Sequence, residues 1–101
     1  MRKDSDDLVN AVIQKERALI LKELKSGVKH ISKLSEETGL DRATVSYHLG
    51  ILEIHKVVSS EYEMLREPHS KGRIGRYYTL NQARLEEAIK AIQQRVGSNL
   101  T

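Results

Sequence analysis

The feature that most constrains this sequence is a pair of short amphipathic segments joined by a single glycine. Residues 31–38 carry apolar side chains at helical spacing, and Gly39 follows where a left-handed residue ends a helix at little cost. Asp41 can cap a second helix, predicted over 42–54, because its carboxylate can accept hydrogen bonds from the first free amides. The apolar stripe of that helix comprises Val45, Leu49 and Leu52. Two helices joined in this way form a helix-turn-helix, whose second helix can enter the major groove of DNA.

The side of the second helix opposite its apolar stripe is the surface that a groove would contact. Arg42 can contact a phosphate or a guanine edge, and polar side chains near the start of the helix can bond to phosphates or bases. The predicted recognition residues are Arg42, Ala43, Thr44, Ser46, Tyr47 and His48. The alternative is a helical hairpin packed inside an ordinary domain, since short amphipathic helices are common.

Two strand-like segments follow and predict a β-hairpin over 57–80. Residues 57–66 and 73–80 contain β-branched and aromatic side chains in rough alternation, and the segment between them is polar and rich in turn residues. Each strand places its apolar side chains on one face, which we expect to pack on the helices. Those side chains are Val58, Tyr62, Met64, Ile74, Tyr78 and Leu80.

The hairpin also concentrates positive charge, although the formal net charge of the chain is only +3. Around its tip, residues 66–76, the single acid is Glu67 and the basic residues are Arg66, Lys71, Arg73 and Arg76. Phosphate is the obvious counterpart of such a cluster. A solvated turn whose cations serve solubility is the alternative, and the neighbouring helix-turn-helix favours DNA.

The order of these elements resembles the winged helix-turn-helix of ArsR-like transcriptional regulators, with MarR-like regulators as near relatives. The family pattern Val-Ser-x-His-Leu occurs here as Val45-Ser46-Tyr47-His48-Leu49, and the hairpin matches in Gly72-Arg-Ile-Gly-Arg-Tyr-Tyr-Thr-Leu80. The resemblance implies a mainly α fold with a small β-hairpin, and a homodimeric regulator that binds double-stranded DNA sequence-specifically. The recognition helix would then choose the sequence, while the wing would hold adjacent phosphates or a minor groove.

Two positions depart from the family pattern. The family usually has glycine where the chain leaves the recognition helix, whereas His55-Lys56-Val57 stands here, so that a residue other than glycine would have to adopt positive φ. Gly50 lies in the middle of the recognition helix, at a cost of roughly 1 kcal/mol relative to alanine.

The terminal segments predict helices over 5–26 and 82–96, whose apolar stripes are wider than one small domain needs. A symmetric homodimer would bury them, although both could instead complete the core of a monomer. The resemblance favours the dimer. The predicted interface comprises Leu8, Val9, Val12, Ile13, Leu85, Ile89, Ile92 and Val96.

Several other classes of function are disfavoured. The chain has no cysteine, and its four histidines are scattered, so we expect neither a metal site nor a cofactor. His48 is better interpreted as a polar support of the helix or a phosphate contact than as a ligand. The sequence has no glycine-rich loop of Walker or Rossmann spacing, no Gly-x-Ser-x-Gly and no His-Glu-x-x-His, so we expect no enzyme.

We expect a single cytoplasmic domain, because no apolar run approaches a membrane span and the first seven residues are too polar for a signal peptide. The main alternative function is a winged helix that serves as a protein-interaction module. RNA binding needs exposed rings, and we expect Tyr62 and Tyr78 to face inward, which leaves Tyr47 and Tyr77.

Overall fold

The structure, a computed structural model, describes residues 2–65 and 72–100 of the chain. The described residues form a mainly helical fold with one small antiparallel sheet. Its elements, in chain order, are α1 (Arg2–Ile13), α2 (Lys15–Leu24), β1 (Lys29–His30), α3 (Ile31–Thr38), α4 (Arg42–Ile54), β2 (Val58–Met64), β3 (Ile74–Leu80) and α5 (Gln82–Leu100). No helix within the described ranges is both long and apolar enough to span a bilayer.

The predicted single helix over 5–26 is wrong, because the chain breaks at Gln14 into α1 and α2. Gln14 has an extended backbone, with φ −60° and ψ 135°, and its side-chain oxygen accepts a hydrogen bond from the Arg17 amide at 2.9 Å. Gln14 therefore caps the N-terminus of α2. The apolar periodicity continues across this break, and glutamine is not among the residues that usually cap a helix.

The helix-turn-helix consists of α3 and α4, with the bounds that the sequence predicts. Gly39 ends α3 in the left-handed region, at φ 77°, and its amide donates to Ser35 O. Asp41 caps α4 through a 2.8 Å hydrogen bond from the Thr44 amide, and this bond lowers the pKa of the Asp41 carboxyl. The turn is thus closed by local hydrogen bonds.

The sheet has the strand order β1-β3-β2. The hairpin pairs Val58 with Leu80 at its base and Met64 with Ile74 at its outer end. The two-residue β1 adds a short edge, in which Lys29 pairs with Tyr78. We name the hairpin β2–β3 the wing.

The core lies between α2, α3, α4 and the base of the wing. Ile20, Leu34, Val45, Leu49, Leu52 and Val57 are fully buried there. α1 packs on α5, and the core cluster extends to Leu8, Val12, Leu85 and Ala88 on these terminal helices. Both ends of the chain therefore belong to the same core as the helix-turn-helix.

The outer half of the wing corrects one sequence expectation. Val58 and Tyr78 are buried as expected, whereas the exposed fractions of Tyr62, Met64 and Ile74 are 72%, 62% and 68%. The register places all of these side chains on one face of the hairpin. The predicted alternation is therefore right, but the wing extends beyond the helices, and its outer apolar residues are not covered.

At the end of α4, a residue other than glycine adopts positive φ, as expected from the sequence. Lys56 has a φ of 63°. The Asn81 side chain donates to the Lys56 carbonyl at 3.1 Å, and the Val57 amide donates to Leu52 O at 2.9 Å. These bonds hold a lysine in a conformation that glycine adopts more readily.

Candidate nucleic-acid interface

The outer face of α4 is open to solvent. Arg42, Ala43, Ser46 and Tyr47 are exposed, Tyr47 to 65%, and Thr44 is partly covered. On the opposite side, Val45, Leu49 and Leu52 are fully buried. The core therefore fixes the orientation of α4, and its recognition side chains remain free of their own chain's core.

His48 does not belong to that exposed face, contrary to its place among the predicted recognition residues. Its exposed fraction is 8%, and its Nδ1 lies 3.1 Å from Arg17 Nη1. A guanidinium can only donate, so Nδ1 accepts and the neutral ring carries its proton on Nε2. Burial, followed by the charge of Arg17, lowers the pKa of His48. Its position matches the interpretation of this residue as a polar support of the helix.

Arg17 is a positioning residue that the sequence did not reveal. Its Nε donates to the Ala11 carbonyl at 2.6 Å, while its Nη1 donates to His48. Arg17 therefore joins the end of α1 to the recognition helix. Its partner His48 is 31 residues away, so no local spacing points to the pair.

A cleft of about 550 Å³ separates the helix-turn-helix from the wing. Its walls come from the first turn of α3, the first residue of α4 and the outer part of β3. The cationic side chains at the cleft are Lys33, Arg42, Arg73 and Arg76. Lys33 was not predicted, although its place in the first turn of α3 is a signal that could have found it. The cleft thus brings a cation of the recognition helix and a cation of the wing to a common side.

The predicted basic residues of the wing differ in their surroundings. Arg73 is exposed just before β3, whereas Arg76 is bound to Glu53 of α4, with its Nη2 3.0 Å from Glu53 Oε1. Arg66 and Lys71 lie outside the described residues. Among the described wing cations, Arg73 is therefore the better candidate for a phosphate contact.

The tyrosines are arranged differently from the expectation. Tyr77 is buried to 3% exposure and packs edge-on against His30, with ring centroids 5.3 Å apart. Tyr62 is exposed instead, and Tyr78 is buried as expected. The exposed rings are therefore those of Tyr47 and Tyr62.

The predicted dimer interface divides into two groups. Leu8, Val9, Val12 and Leu85 are at most 8% exposed in the single chain, so they belong to the monomer core. On the terminal helices, Ile13, Ile89 and Val96 are exposed to 56%, 40% and 51%, and Ile92 is half-buried. Of the predicted interface residues, those of the second group are accessible to a partner subunit.

Within residues 2–65 and 72–100, no three histidine, aspartate or glutamate side chains lie close enough to hold a metal ion.

Comparisons with known proteins agree with this geometry. The model of the bacterial regulatory protein arsR family matches residues 14–60, which span α2 to the start of the wing. No curated protein matches the chain in sequence.

Solved structures share the fold over nearly the whole chain. A possible transcriptional regulator for arsenical resistance superposes with a TM-score of 0.69 at 19% identity, over 94% of this chain and 97% of its own. NolR from Sinorhizobium fredii gives 0.69 at 21% identity, over 95% and 87%. The homodimeric winged helix-turn-helix DNA-binding domain of Mb0332 from Mycobacterium bovis, a possible ArsR-family regulator, gives 0.65 at 20%, over 96% and 80%. This chain therefore has the winged helix-turn-helix fold, and its residues 14–60 are similar to the arsR family of bacterial regulatory proteins.

Proposed function

We propose that the chain is a transcriptional regulator that binds double-stranded DNA sequence-specifically as a homodimer in the cytoplasm. The observation that carries this proposal is the shared cleft, where Arg42 of α4 and Arg73 of the wing open on one side of the molecule. Tyr47 is exposed on the same helix. A surface that combines an exposed helix face with cations beside it suits a DNA groove and its phosphates.

The two parts of this surface have different roles. Arg42, Ser46 and Tyr47 are exposed on the recognition helix, where side chains can reach base edges in the major groove. Lys33, whose Nζ lies 3.7 Å from Glu36 Oε1, and Arg73 line the same cleft as Arg42 and would bind phosphates. The helix therefore supplies sequence choice, and the wing with the start of α3 supplies affinity.

The homodimer would use the terminal helices. Ile13, Ile89 and Val96 are large apolar side chains left exposed on α1 and α5, and a second copy would cover them. The homodimeric state of the Mb0332 domain supports this arrangement. Two recognition helices would then contact successive major grooves about 34 Å apart on a roughly palindromic site.

Selection of bound fragments from random and genomic DNA tests the proposed function. We expect enrichment of a palindromic sequence, with an affinity that falls steeply as salt rises. RNA of the same sequence serves as a competitor and should not displace the DNA. If the protein binds no duplex DNA at low salt, the alternative function as a protein-interaction module is favoured. If it binds the RNA more tightly than the DNA, the proposed DNA recognition is wrong.

The dimer is tested separately by sedimentation. Ile89→Asp places a charge on the exposed apolar stripe of α5 and should shift the protein toward monomer. Gln94→Asp places the same charge on the far side of α5 as a control and should leave the mass unchanged. Equal masses for the parent protein and both variants would remove the case for an interface on this helix.

A further inference from the structure

Arg76 takes part in a closed set of side-chain hydrogen bonds. Its Nη2 lies 3.0 Å and 3.1 Å from the two carboxylate oxygens of Glu53, and its Nε donates to Ser60 Oγ at 2.8 Å. Ser60 Oγ in turn donates to Glu53 Oε2 at 2.6 Å. Each of the three side chains therefore binds the other two.

Two tyrosine rings complete the surroundings of the guanidinium. Arg76 Cζ lies 5.4 Å from the centre of the Tyr78 ring and 5.6 Å from that of Tyr62. Cation–π contacts and a carboxylate together compensate an arginine charge. Because Glu53 already pairs with its charge, a phosphate at Arg76 would share the guanidinium with an acid, so this arginine differs from the exposed Arg73.

The position of the network in the fold gives it a mechanical role. Glu53 lies in the last turn of α4, Ser60 on β2 and Arg76 on β3, so the network joins the recognition helix to both strands of the wing. Further out on the same face, Tyr62, Met64 and Ile74 are more than half exposed. The network therefore lies where the packed base of the wing gives way to its uncovered outer half.

We propose that Arg76 is a positioning residue that fixes the wing relative to the recognition helix through Glu53 and Ser60, and so determines which DNA positions the two contact together. This inference rests on the proposed function. Arginine suits the task because its planar guanidinium donates to Glu53 through Nη2 and to Ser60 through Nε in fixed directions, which the point charge of lysine does not do.

The Glu53→Gln variant separates positioning from phosphate binding, because the two roles predict opposite effects. If Arg76 bound phosphate, loss of the Glu53 charge would free the guanidinium and tighten DNA binding. If Arg76 positions the wing, the same loss weakens binding. Glu61→Gln is the matched control, because Glu61 is exposed on the opposite face of β2 and reports the effect of removing an acid alone.

The binding experiment compares Glu53→Gln, Arg76→Gln and Arg76→Lys on the selected DNA, with affinities at several salt concentrations and hydroxyl-radical footprints. We expect all three variants to bind about tenfold more weakly, which corresponds to about 1.4 kcal/mol. They should lose protection at the wing positions and keep it in the major groove, with the salt dependence of the parent protein. The proposal is overturned if Glu53→Gln binds more tightly than the control, or if Arg76→Lys behaves as the parent and Arg76→Gln alone flattens the salt dependence.

Amide hydrogen exchange of the free protein provides a readout that needs no DNA. We expect faster exchange at residues 62–64 and 74–76 in Glu53→Gln and Arg76→Gln, with the exchange of α4 core amides unchanged and the control identical to the parent. Unchanged exchange in both variants overturns the positioning role. If the parent protein binds no DNA, the proposed function fails, and this exchange result still decides whether Arg76 holds the wing.

Discussion

The recognition helix and the outer wing are held in place by different forces. α4 buries Val45, Leu49 and Leu52 completely, and apolar burial of this kind stabilises a structure by several kcal/mol. The outer wing leaves its apolar face uncovered and is tied to α4 by the polar network of Glu53, Ser60 and Arg76. The helix that would read DNA sequence is therefore set by the core, whereas the outer part of the wing depends on strand pairing and on a few side-chain hydrogen bonds that are easier to alter.

The largest expected effect is a loss of stability when the burial of α4 is reduced. Leu49 is fully buried, so Leu49→Ala should lower the free energy of unfolding by roughly 2–5 kcal/mol. Gly50→Ala is the neighbouring control: Gly50 is exposed and a Cβ there meets nothing within 4 Å, so this change should stabilise the helix by up to about 1 kcal/mol. Urea unfolding measures both. A small loss at Leu49 would mean that the core does not fix α4.

The second prediction divides the DNA contacts between the helix and the wing. Arg73→Ala should weaken binding to all sequences and reduce the slope of log affinity against log salt concentration by about 1. Tyr47→Ala should change which sequence is preferred, because it removes about 1–3 kcal/mol of discrimination at each base pair that the side chain contacts. Lys90→Ala removes an exposed cation of α5 and serves as the charge control. Binding titrations over a panel of sites distinguish these effects. The same pattern of loss for Arg73→Ala and Tyr47→Ala would contradict the division.

A smaller effect is expected where the recognition helix leads into the wing. Lys56 has a left-handed backbone, so Lys56→Gly should raise the free energy of unfolding by up to about 1 kcal/mol. Lys56→Ala removes the same side chain but keeps the Cβ, and it should give no such gain. If both variants unfold at the same urea concentration, the backbone conformation at this junction carries no measurable cost.

The smallest expected effect is a change in the free energy of unfolding that depends on His48 and occurs only at mildly acidic pH. The pKa of His48 is below its ordinary value of 6.5, so the unfolded chain binds the proton more readily than the folded one. The stability contributed by neutral His48 is therefore present above pH 6.5 and decreases as the pH falls through and below that value. His48→Asn keeps a hydrogen-bond acceptor for Arg17 and should lose less stability between pH 7 and pH 5. If the parent protein and His48→Asn lose the same free energy of unfolding between pH 7 and pH 5, the assigned neutral state of His48 is wrong.

Local signals explain why the helix-turn-helix was predictable. Gly39 and Asp41 mark the end of one helix and the start of the next, and the apolar spacing between Val45 and Leu52 fixes the buried side of α4. The fold class follows from these elements and the hairpin. The break at Gln14 was missed because the apolar pattern runs through it and the capping residue is unusual.

What escaped sequence analysis depends on partners that are distant along the chain. Strand alternation shows which side chains share a face, but it does not show whether anything covers that face, and Tyr62 is exposed for this reason. The charge of the hairpin predicted that Arg76 contacts phosphate, but Arg76 is paired with Glu53. Glu53 is 23 residues away along the chain, so local sequence does not reveal this pair. The burial of His48 likewise depends on packing against Arg17.

The link through Arg17 limits how far this protein can be shortened. A fragment that begins at residue 14, where the family match starts, would lack the Ala11 carbonyl that accepts from Arg17, together with Leu8 and Val12. The guanidinium would then have to find another acceptor while still supporting His48. A minimal version for biotechnology or structural work should therefore retain the first helix.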